Sequence, residues 1–343
     1  MSELSTKSTL HSRMSCFVEW IAPDPETIDA IREQADQIRK YVRQNAEEEG
    51  IFVTSTPESG SFAKKTGLRR HYRGKSEVDG LDVDIPIVVK PENEDGEKLD
   101  ELLKKFERFV RKSYPDSQIE LTKSSVKVTL NEVSYDIVPM LATDKNDEQI
   151  LIRSTGERIR TSVQKHNEFI KKRTKESNEL PGRVKFNECI RLMKWWREFQ
   201  SDRSSVLGEG NRPPSILIDL LCAYAYDRLK VEGTYAETLF RWTSLLANLV
   251  RNKKSITFND YVSNPQPDPL AHWSVLDPVN AGNNITKNWT NLKTGELANW
   301  LDAARDSWAR IIHFDEDEED SQCLDELEEL FGTPFRNHCE KND

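Results

Sequence analysis

The sequence lacks the long apolar runs and paired cysteines that are typical of membrane-spanning and disulfide-rich proteins. No apolar run approaches the roughly 18 residues that a membrane span requires, and no stretch near the N-terminus has the character of a secretory signal. The 5 cysteines form no C-x-x-C pair, and the 6 histidines do not cluster at zinc spacing. These absences predict a cytoplasmic protein with reduced thiols, no structural zinc and no membrane association.

The sequence also has too few basic residues for a nucleic-acid platform that covers the whole surface. Its formal net charge is -10 over 343 residues, whereas duplex binding draws its affinity from neutralised phosphates. An obligate nucleic-acid partner is therefore not expected. The hydrophobic share of 36% and the charged share of 31% suit a globular protein that is long enough for two domains.

The first half of the chain mixes helical and strand patterns. Apolar residues at three- and four-residue steps predict one long helix over about 25–48 and another from Leu99 to Val110. The segments SVKVTL and VSYDIVPM are separated only by Asn131-Glu132, which is the spacing of a β-hairpin.

One further strand, LDVDIPIVV, follows a polar stretch that the sequence predicts to be a loop as far as Gly80. Pro86 lies within this strand and removes one backbone donor, which indicates a sheet edge or a bulge near the centre of the strand.

Beyond about residue 155 the patterns become helical, and the acidic run DEDEED at 315–320 is predicted to be a loop. We therefore predict an α+β protein with a catalytic core over residues 1–150 and a helical lobe over residues 151–343, the substrate cleft lying between them.

Three aspartates carry the strongest chemical signal. Asp82 and Asp84 are two residues apart on one strand, so they project from the same face while Val83 points into the core. Asp136 lies on another strand and supplies a third carboxylate. No lysine or arginine that would neutralise them is evident in the adjacent strand. Carboxylates and phosphate oxygens are preferred Mg²⁺ ligands, so the three residues are predicted to hold two Mg²⁺ ions, with Mn²⁺ as an alternative.

A second motif suits binding of a triphosphate. Gly60 allows a tight turn, and Ser61 follows it at the start of a predicted short helix, with Lys64 one turn later. The segment GSFAKKT is not a Walker A loop, because it lacks the second glycine followed by Lys and Ser or Thr.

Each motif also has a purely structural interpretation. A Gly-Ser pair before a helix is usually a turn with an N-cap, and a D-x-D pair often ends a strand in solvent. Lys194, in the helix IRLMKWW, could be a surface lysine, and Ser215, after two prolines, could be an N-cap. Asp136 is flanked by apolar residues, which makes an unpaired structural role costly. Taken jointly and in order, the motifs favour catalysis.

In these motifs the chain resembles the CD-NTase family of bacterial CBASS antiphage enzymes, which is related to oligoadenylate synthases and cyclic GMP-AMP synthase. GSFAKKT resembles the family's G-S-x-A-K-G-T, DVDIPIVV its D-x-D strand, and SYDIVPM the strand with its third aspartate. IRLMKWW, PPSILIDLLCAYAYD and LDPVNAGNNI resemble segments of oligoadenylate synthases. The resemblance implies a polymerase-β-like nucleotidyltransferase core with a C-terminal, oligoadenylate-synthase-like helical lobe.

The resemblance also implies roles for individual residues. Asp82, Asp84 and Asp136 match the metal ligands, and Gly60 and Ser61 the triphosphate turn. Lys194 and Ser215 match positions that contact donor phosphates. The implied activity is synthesis of a cyclic di- or trinucleotide second messenger from ATP and other NTPs.

The resemblance further implies regulatory partners, either HORMA-domain and TRIP13-like proteins or ubiquitin-like conjugation proteins, and the C-terminal segment LFGTPFRNHCEKND is predicted to dock one of them. Two positions depart from the family pattern: Lys65 replaces a glycine, and Pro86 interrupts the metal-bearing strand. Two alternatives stay open, a transferase that adds NMP to an RNA or protein acceptor, and a non-catalytic nucleotide sensor or scaffold.

Overall fold

The computed structural model describes residues 9–73, 76–91, 98–182, 184–316 and 319–340. Its strands are β1 (Val53–Ser55), β2 (Arg70–Arg73), β3 (Ser76–Asp79), β4 (Leu81–Val89), β5 (Gln118–Leu121), β6 (Val126–Leu130), β7 (Val133–Ala142), β8 (Gln149–Ile152) and β9 (Arg158–Thr161). Its helices are α1 (Thr9–Ile21), α2 (Pro25–Glu48), α3 (Gly60–Ala63), α4 (Leu99–Ser113), α5 (Val163–Glu179), α6 (Phe186–Arg203), α7 (Ser215–Leu229), α8 (Tyr235–Arg251), α9 (Asn291–Glu316), α10 (Asp320–Phe331) and α11 (Thr333–Glu340).

A mixed sheet forms the centre of the first half. Its strand order is β1-β4-β7-β6-β5, and β8 and β9 extend it from β7. Strands β4 and β7 run parallel, and the other neighbouring strands are antiparallel. This arrangement confirms the α+β class.

Helices α2 and α4 pack against the sheet and form one core with it. The apolar residues Ile31, Ile38 and Val42 of α2 are buried there, as are Leu102 and Phe106 of α4. Both helices agree with the apolar spacing in the sequence, so these two predictions are confirmed.

The β6–β7 hairpin is also confirmed. Its turn residues Asn131 and Glu132 have φ angles of 48° and 66°, the left-handed values that a two-residue hairpin turn requires at both central positions.

A second core joins α1 to the helices of the C-terminal half. Phe17 of α1 lies 5.4 Å from Trp195 of α6 and 4.7 Å from Phe335 of α11, measured between ring centroids. No pattern in the sequence predicted α1.

The central sheet continues past residue 150 to Thr161. The division at residue 150 stays a prediction, although α1 packs with the helical core and not with the sheet.

One local prediction around β4 is wrong. The stretch before Gly80 is not a loop, because β2 and β3 pair there as an antiparallel hairpin.

The prediction for Pro86 named a sheet edge or a bulge. Pro86 does not mark a bulge in the pairing of β4 with β7, which is continuous from Leu81 to Val89. On the other side of β4, β1 pairs only with Val88 and Val89, so Pro86 lies at a local edge of the sheet, where a missing backbone donor is tolerated.

One prediction for the C-terminal third also needs correction. Asp315 and Glu316 of the acidic run end helix α9 and Asp320 begins α10, while 317 and 318 lie outside the described residues. The segment predicted to dock a partner contributes Phe331 and Phe335 to the second core, so these two side chains are not available at the surface, and docking by the segment stays a prediction. No helix in the described part of the chain is long and apolar enough to cross a bilayer.

Candidate functional site

The pairing of β4 with β7 brings the predicted catalytic aspartates together. Asp84 is directly opposite Asp136, and Asp82 is opposite Ser134. The neighbouring residues Val83, Tyr135 and Ile137 are buried in the sheet core, so alternation turns the three carboxylates to the opposite face. The sequence predicted that Asp82 and Asp84 share a face, and the register adds Asp136 to them.

A lysine on the next strand contacts two of these carboxylates. Lys127 of β6 is opposite Asp136. Its Nζ lies 3.4 Å from Oδ1 of Asp82 and 3.7 Å from Oδ2 of Asp136. The expectation that no lysine or arginine would neutralise the aspartates is therefore wrong. Lys127 was visible in SVKVTL, but only the register shows that it faces the acids.

The carboxylate of Asp84 has the least favourable environment of the three. Burial and the neighbouring charge of Asp136 raise the pKa of Asp84 to about 6. Burial also raises the pKa of Asp136, although Ser125 donates a hydrogen bond of 2.7 Å to its Oδ1. Within the described residues, we find no hydrogen bond or ion pair for Asp84. The charges of Lys64 and Lys127 oppose the rise in the pKa of Asp84 but do not overcome it.

Gly60 and Asp84 lie in direct contact. A Cβ atom added to Gly60 would lie 1.8 Å from Oδ2 of Asp84, and the φ angle of Gly60 is 75°. Only glycine fits both the left-handed conformation and this close approach. The triphosphate motif and the D-x-D motif are thus parts of one local arrangement.

The backbone conformation of Lys65 explains why the family pattern has a glycine at this position. Its φ angle is 58°, a left-handed value that favours glycine. The glycine of the family pattern would adopt this conformation without strain, whereas Lys65 adopts it at a cost of about 1 kcal/mol.

A cleft of about 450 Å³ contains all of the residues predicted from sequence to form the site. They are Gly60, Ser61, Lys64, Asp82, Asp84, Asp136, Lys194 and Ser215. The sheet half supplies the first six, and helices α6 and α7 supply Lys194 and Ser215. Residues separated by up to 155 positions in the sequence therefore line one cavity.

Asp219 is a central residue of this cleft that the sequence analysis missed. Its carboxylate lies 2.8 Å from Nζ of Lys194 and 3.3 Å from Nζ of Lys64. All three side chains are buried, which excludes the interpretation of Lys194 as a surface lysine. The two lysines lower the pKa of Asp219 against the opposing effect of burial. An acid within the apolar run ILIDLLCAYAYD was the available signal, because such a residue needs a buried partner.

Replacing Asp219 should reveal how strongly this cluster depends on it. We expect Asp219→Asn to lower the free energy of unfolding by about 3 kcal/mol, because two buried lysines lose their counter-charge. Since the pKa of Asp219 is lowered, its stabilisation is present at neutral pH and is lost as the pH falls below about 3.8. Urea denaturation at pH 7 measures the loss. Asp116→Asn, at an exposed position, is the matched control, and equal stability of both variants would contradict the prediction.

Ser215 lies at the first turn of α7, where it faces Arg197. The Ser215 hydroxyl accepts a hydrogen bond of 3.1 Å from Nη1 of Arg197, so its own proton stays available for a second oxygen. Glu198 accepts hydrogen bonds from Arg197 and from the backbone N–H of Tyr72. The wall of the cleft that carries Ser215 is therefore held in place by buried charged groups.

One face of α6 holds the segment that follows α3. At spacings of four, three and four residues, this face presents Asn187, Arg191, Lys194 and Glu198. Arg191 donates to the carbonyl oxygens of Lys65 and Gly67 at 2.9 and 3.3 Å. Helix α6 thereby fixes the backbone of this segment against the helical half.

The segment LDPVNAGNNI has a structural role. Asp277 accepts hydrogen bonds from the backbone N–H groups of Val279 and Asn280. Asn284 accepts from the N–H groups of Val275 and Thr286. The acidic and amide side chains of this motif therefore shape their own loop.

The donor set of the cleft suits a divalent cation. Across the described residues, no group of three or more His, Cys, Asp or Glu side chains stands ready to hold an ion. Nevertheless, three carboxylates face one cleft, and burial together with the neighbouring charge of Asp136 raises the pKa of Asp84. Oxygen ligands of this kind bind Mg²⁺ and Mn²⁺.

Comparison with known proteins identifies the domain that carries the aspartates. Residues 9–174 match the Second Messenger Oligonucleotide or Dinucleotide Synthetase domain. The matched segment contains all three aspartates together with Gly60 and Ser61, which agrees with the resemblance found in the sequence.

Solved structures show how far the CD-NTase fold extends. CdnC of E. coli MS115-1 with ATP is 24% identical with a TM-score of 0.77, and the match covers 95% of this chain and 98% of that chain. The CdnC:HORMA-deltaN complex matches with 24% identity and a TM-score of 0.75, over 96% of this chain and 98% of that chain. The DncV cyclic AMP-GMP synthase of Vibrio cholerae, in complex with a linear intermediate, is 11% identical with a TM-score of 0.67 over 95% of both chains. These likenesses show the fold.

One curated relative is a much longer protein. The 2'-5'-oligoadenylate synthase 3 of Rattus norvegicus is 22% identical over 313 residues. The alignment covers 79% of this chain and 26% of the length of the rat protein, so the chain spans about a quarter of the length of that relative.

Proposed function

We propose that this protein is a CD-NTase, which joins NTPs into a cyclic di- or trinucleotide second messenger that serves antiphage signalling. The observation that carries the proposal is the register of β4 against β7, which sets Asp84 beside Asp136 and on the same face as Asp82. The family match supports second-messenger synthesis. The similar cyclic AMP-GMP synthase in complex with a linear intermediate supports a route through linear products.

The reaction is attack by the 2′- or 3′-hydroxyl of an acceptor nucleotide on the α-phosphorus of a donor NTP, with pyrophosphate as the leaving group. Asp82, Asp84 and Asp136 would hold the divalent ions. When bound, Mg²⁺ neutralises the triphosphate and lowers the pKa of the attacking hydroxyl.

The chain's other groups bind and orient the donor nucleotide. Gly60 and Ser61 would receive the triphosphate through backbone N–H groups and the serine hydroxyl. Lys64 and Lys194 carry one more positive charge than Asp219 neutralises, so their cluster attracts phosphate. The Ser215 hydroxyl, whose oxygen already accepts from Arg197, donates its proton to a phosphate oxygen.

Ring closure follows from binding and needs no additional catalytic group. A linear intermediate that is held in the cleft and then turns presents its free hydroxyl to the same three carboxylates, so a second transfer repeats the first.

By similarity to the CdnC:HORMA-deltaN complex, we also propose a HORMA-domain protein as a regulatory partner.

The test is incubation with the four NTPs and Mg²⁺, followed by phosphatase treatment and mass spectrometry. The expected result is a phosphatase-resistant cyclic product that is absent with Asp136→Asn. Label transferred from an NTP only to added RNA or protein would favour the acceptor-adding alternative. Failure to bind NTP or to form any product, with and without a HORMA-domain partner, would contradict the proposal and favour a scaffold.

A further inference from the structure

Lys127 is the cation of the catalytic face that the proposed mechanism does not use. Its neighbours Val126 and Val128 are buried in the sheet core, so alternation along β6 turns Lys127 to the face that carries the aspartates. Its register partner on β7 is Asp136. The position of Lys127 is therefore set by the sheet and not by a flexible loop.

The contacts of Lys127 involve the oxygens that a divalent ion requires. Its ammonium lies 3.4 Å from Oδ1 of Asp82 and 3.7 Å from Oδ2 of Asp136. Ser125, two residues earlier on the same face, occupies Oδ1 of Asp136 with a hydrogen bond of 2.7 Å. Two of the three carboxylates thus already have partners, whereas Asp84 has none that we find in the described part of the chain.

Lys127 is positively charged at neutral pH, because the ordinary pKa of a lysine is about 10.4 and two carboxylates lie beside its ammonium. An ammonium at this place repels an arriving divalent cation and competes with it for carboxylate oxygens. The triphosphate of an NTP brings negative charge into the same cleft and offsets that repulsion.

We propose that Lys127 acts as a resident counter-cation, which weakens divalent-ion binding to the empty cleft and makes tight ion binding depend on an NTP. This inference rests on the proposed function for the identity of the ligand. In the free protein Lys127 stabilises the acidic cluster, and in the loaded protein it yields the carboxylate oxygens to the ions. The cleft therefore takes up metal and nucleotide together.

The test measures Mn²⁺ binding by electron paramagnetic resonance, with and without a non-hydrolysable ATP analogue, in the full chain. Without nucleotide, Lys127→Met should bind Mn²⁺ about tenfold more tightly than the parent, because one nearby positive charge is gone. With the analogue, the two proteins should differ by less than about threefold. A ratio below about threefold without nucleotide overturns the inference.

Two further variants separate charge from side-chain shape and from overall charge. Lys127→Arg keeps the charge at the same place and should bind Mn²⁺ as weakly as the parent. Lys123→Met removes an exposed charge from the turn before β6 and should also match the parent. Tight Mn²⁺ binding by either variant would overturn the role of Lys127.

The outcome can be separated from that of the proposed function, because Mn²⁺ binding needs no turnover. A chain that makes cyclic product but shows no effect of Lys127→Met refutes only the counter-cation. A chain that shows the effect but makes no product refutes only the synthesis. Should Lys127→Met unfold, as judged by its circular dichroism spectrum, the parent itself decides: Mn²⁺ binding that does not tighten with the ATP analogue overturns the inference.

Discussion

Asp84→Asn should abolish nucleotide transfer and, at the same time, stabilise the metal-free protein. Activity should fall by about three orders of magnitude or more, because a ligand that holds the ions in the transition state is lost. Stability should rise because Asp84 is charged at pH 7 although its environment raises its pKa to about 6. A shift of that size corresponds to about 2 to 3 kcal/mol.

The pH dependence fixes the sign of this prediction. An acid whose pKa is higher in the folded state than in the unfolded state destabilises the fold as the pH rises through the two values, here from 3.8 to about 6. The advantage of Asp84→Asn should therefore be absent near pH 4, grow up to about pH 7 and then level off. Chemical denaturation in the presence of a metal chelator, repeated across this range, provides the measurement.

Asp82→Asn is the matched comparison on the same strand. Asp82 is 53% exposed and is paired with Lys127, so its loss should change stability by less than about 1 kcal/mol. It should nevertheless remove activity. A destabilised Asp84→Asn protein, or substantial product from it, would be incompatible with the role proposed for Asp84.

Gly60→Ala should also inactivate the protein, but through geometry and not through charge. The new Cβ would lie 1.8 Å from Oδ2 and 2.7 Å from Cγ of Asp84, so the Asp84 carboxylate must leave its present position. We expect a loss of about two orders of magnitude in kcat/KM, together with a loss of about 1 to 3 kcal/mol in stability. Steady-state assays and urea denaturation measure the two effects.

Gly50→Ala provides the control for backbone strain. Gly50 has a φ angle of 78°, close to the 75° of Gly60, but a Cβ added there meets nothing within 4 Å. Its replacement should cost about 1 kcal/mol of stability and leave activity unchanged. Comparable loss of activity in both variants would mean that strain, and not the contact with Asp84, explains the effect.

Local patterns explain why much of the fold could be predicted from the sequence. Helix α2 has an apolar face and Pro25 at its first turn, and the Asp24 side chain accepts a hydrogen bond from Glu26 N–H. The alternation of Asp82, Val83 and Asp84 shows directly which side chains share a face of β4. Predictions of this kind need only the neighbours of each residue in the sequence.

Long-range pairing explains what could not be predicted. Lys127 was visible in the sequence, but its contact with Asp82 depends on β7 lying between β6 and β4. Asp219 pairs with Lys64, which is 155 residues away. The β2–β3 hairpin is polar and packs against α6, so no apolar alternation marked it. In each case the information lies in tertiary contacts.

The position of α1 has a consequence for synthesis of the chain on the ribosome. Phe17 contacts Phe331 and Phe335, residues that are translated more than 300 positions later. At usual rates of translation, the apolar face of α1 waits on the order of tens of seconds for these partners. During that interval the sheet half can fold, while the apolar face of α1 stays exposed on the nascent chain, as in segments that chaperones bind. The helical half therefore completes its core only after α11 has emerged from the ribosome.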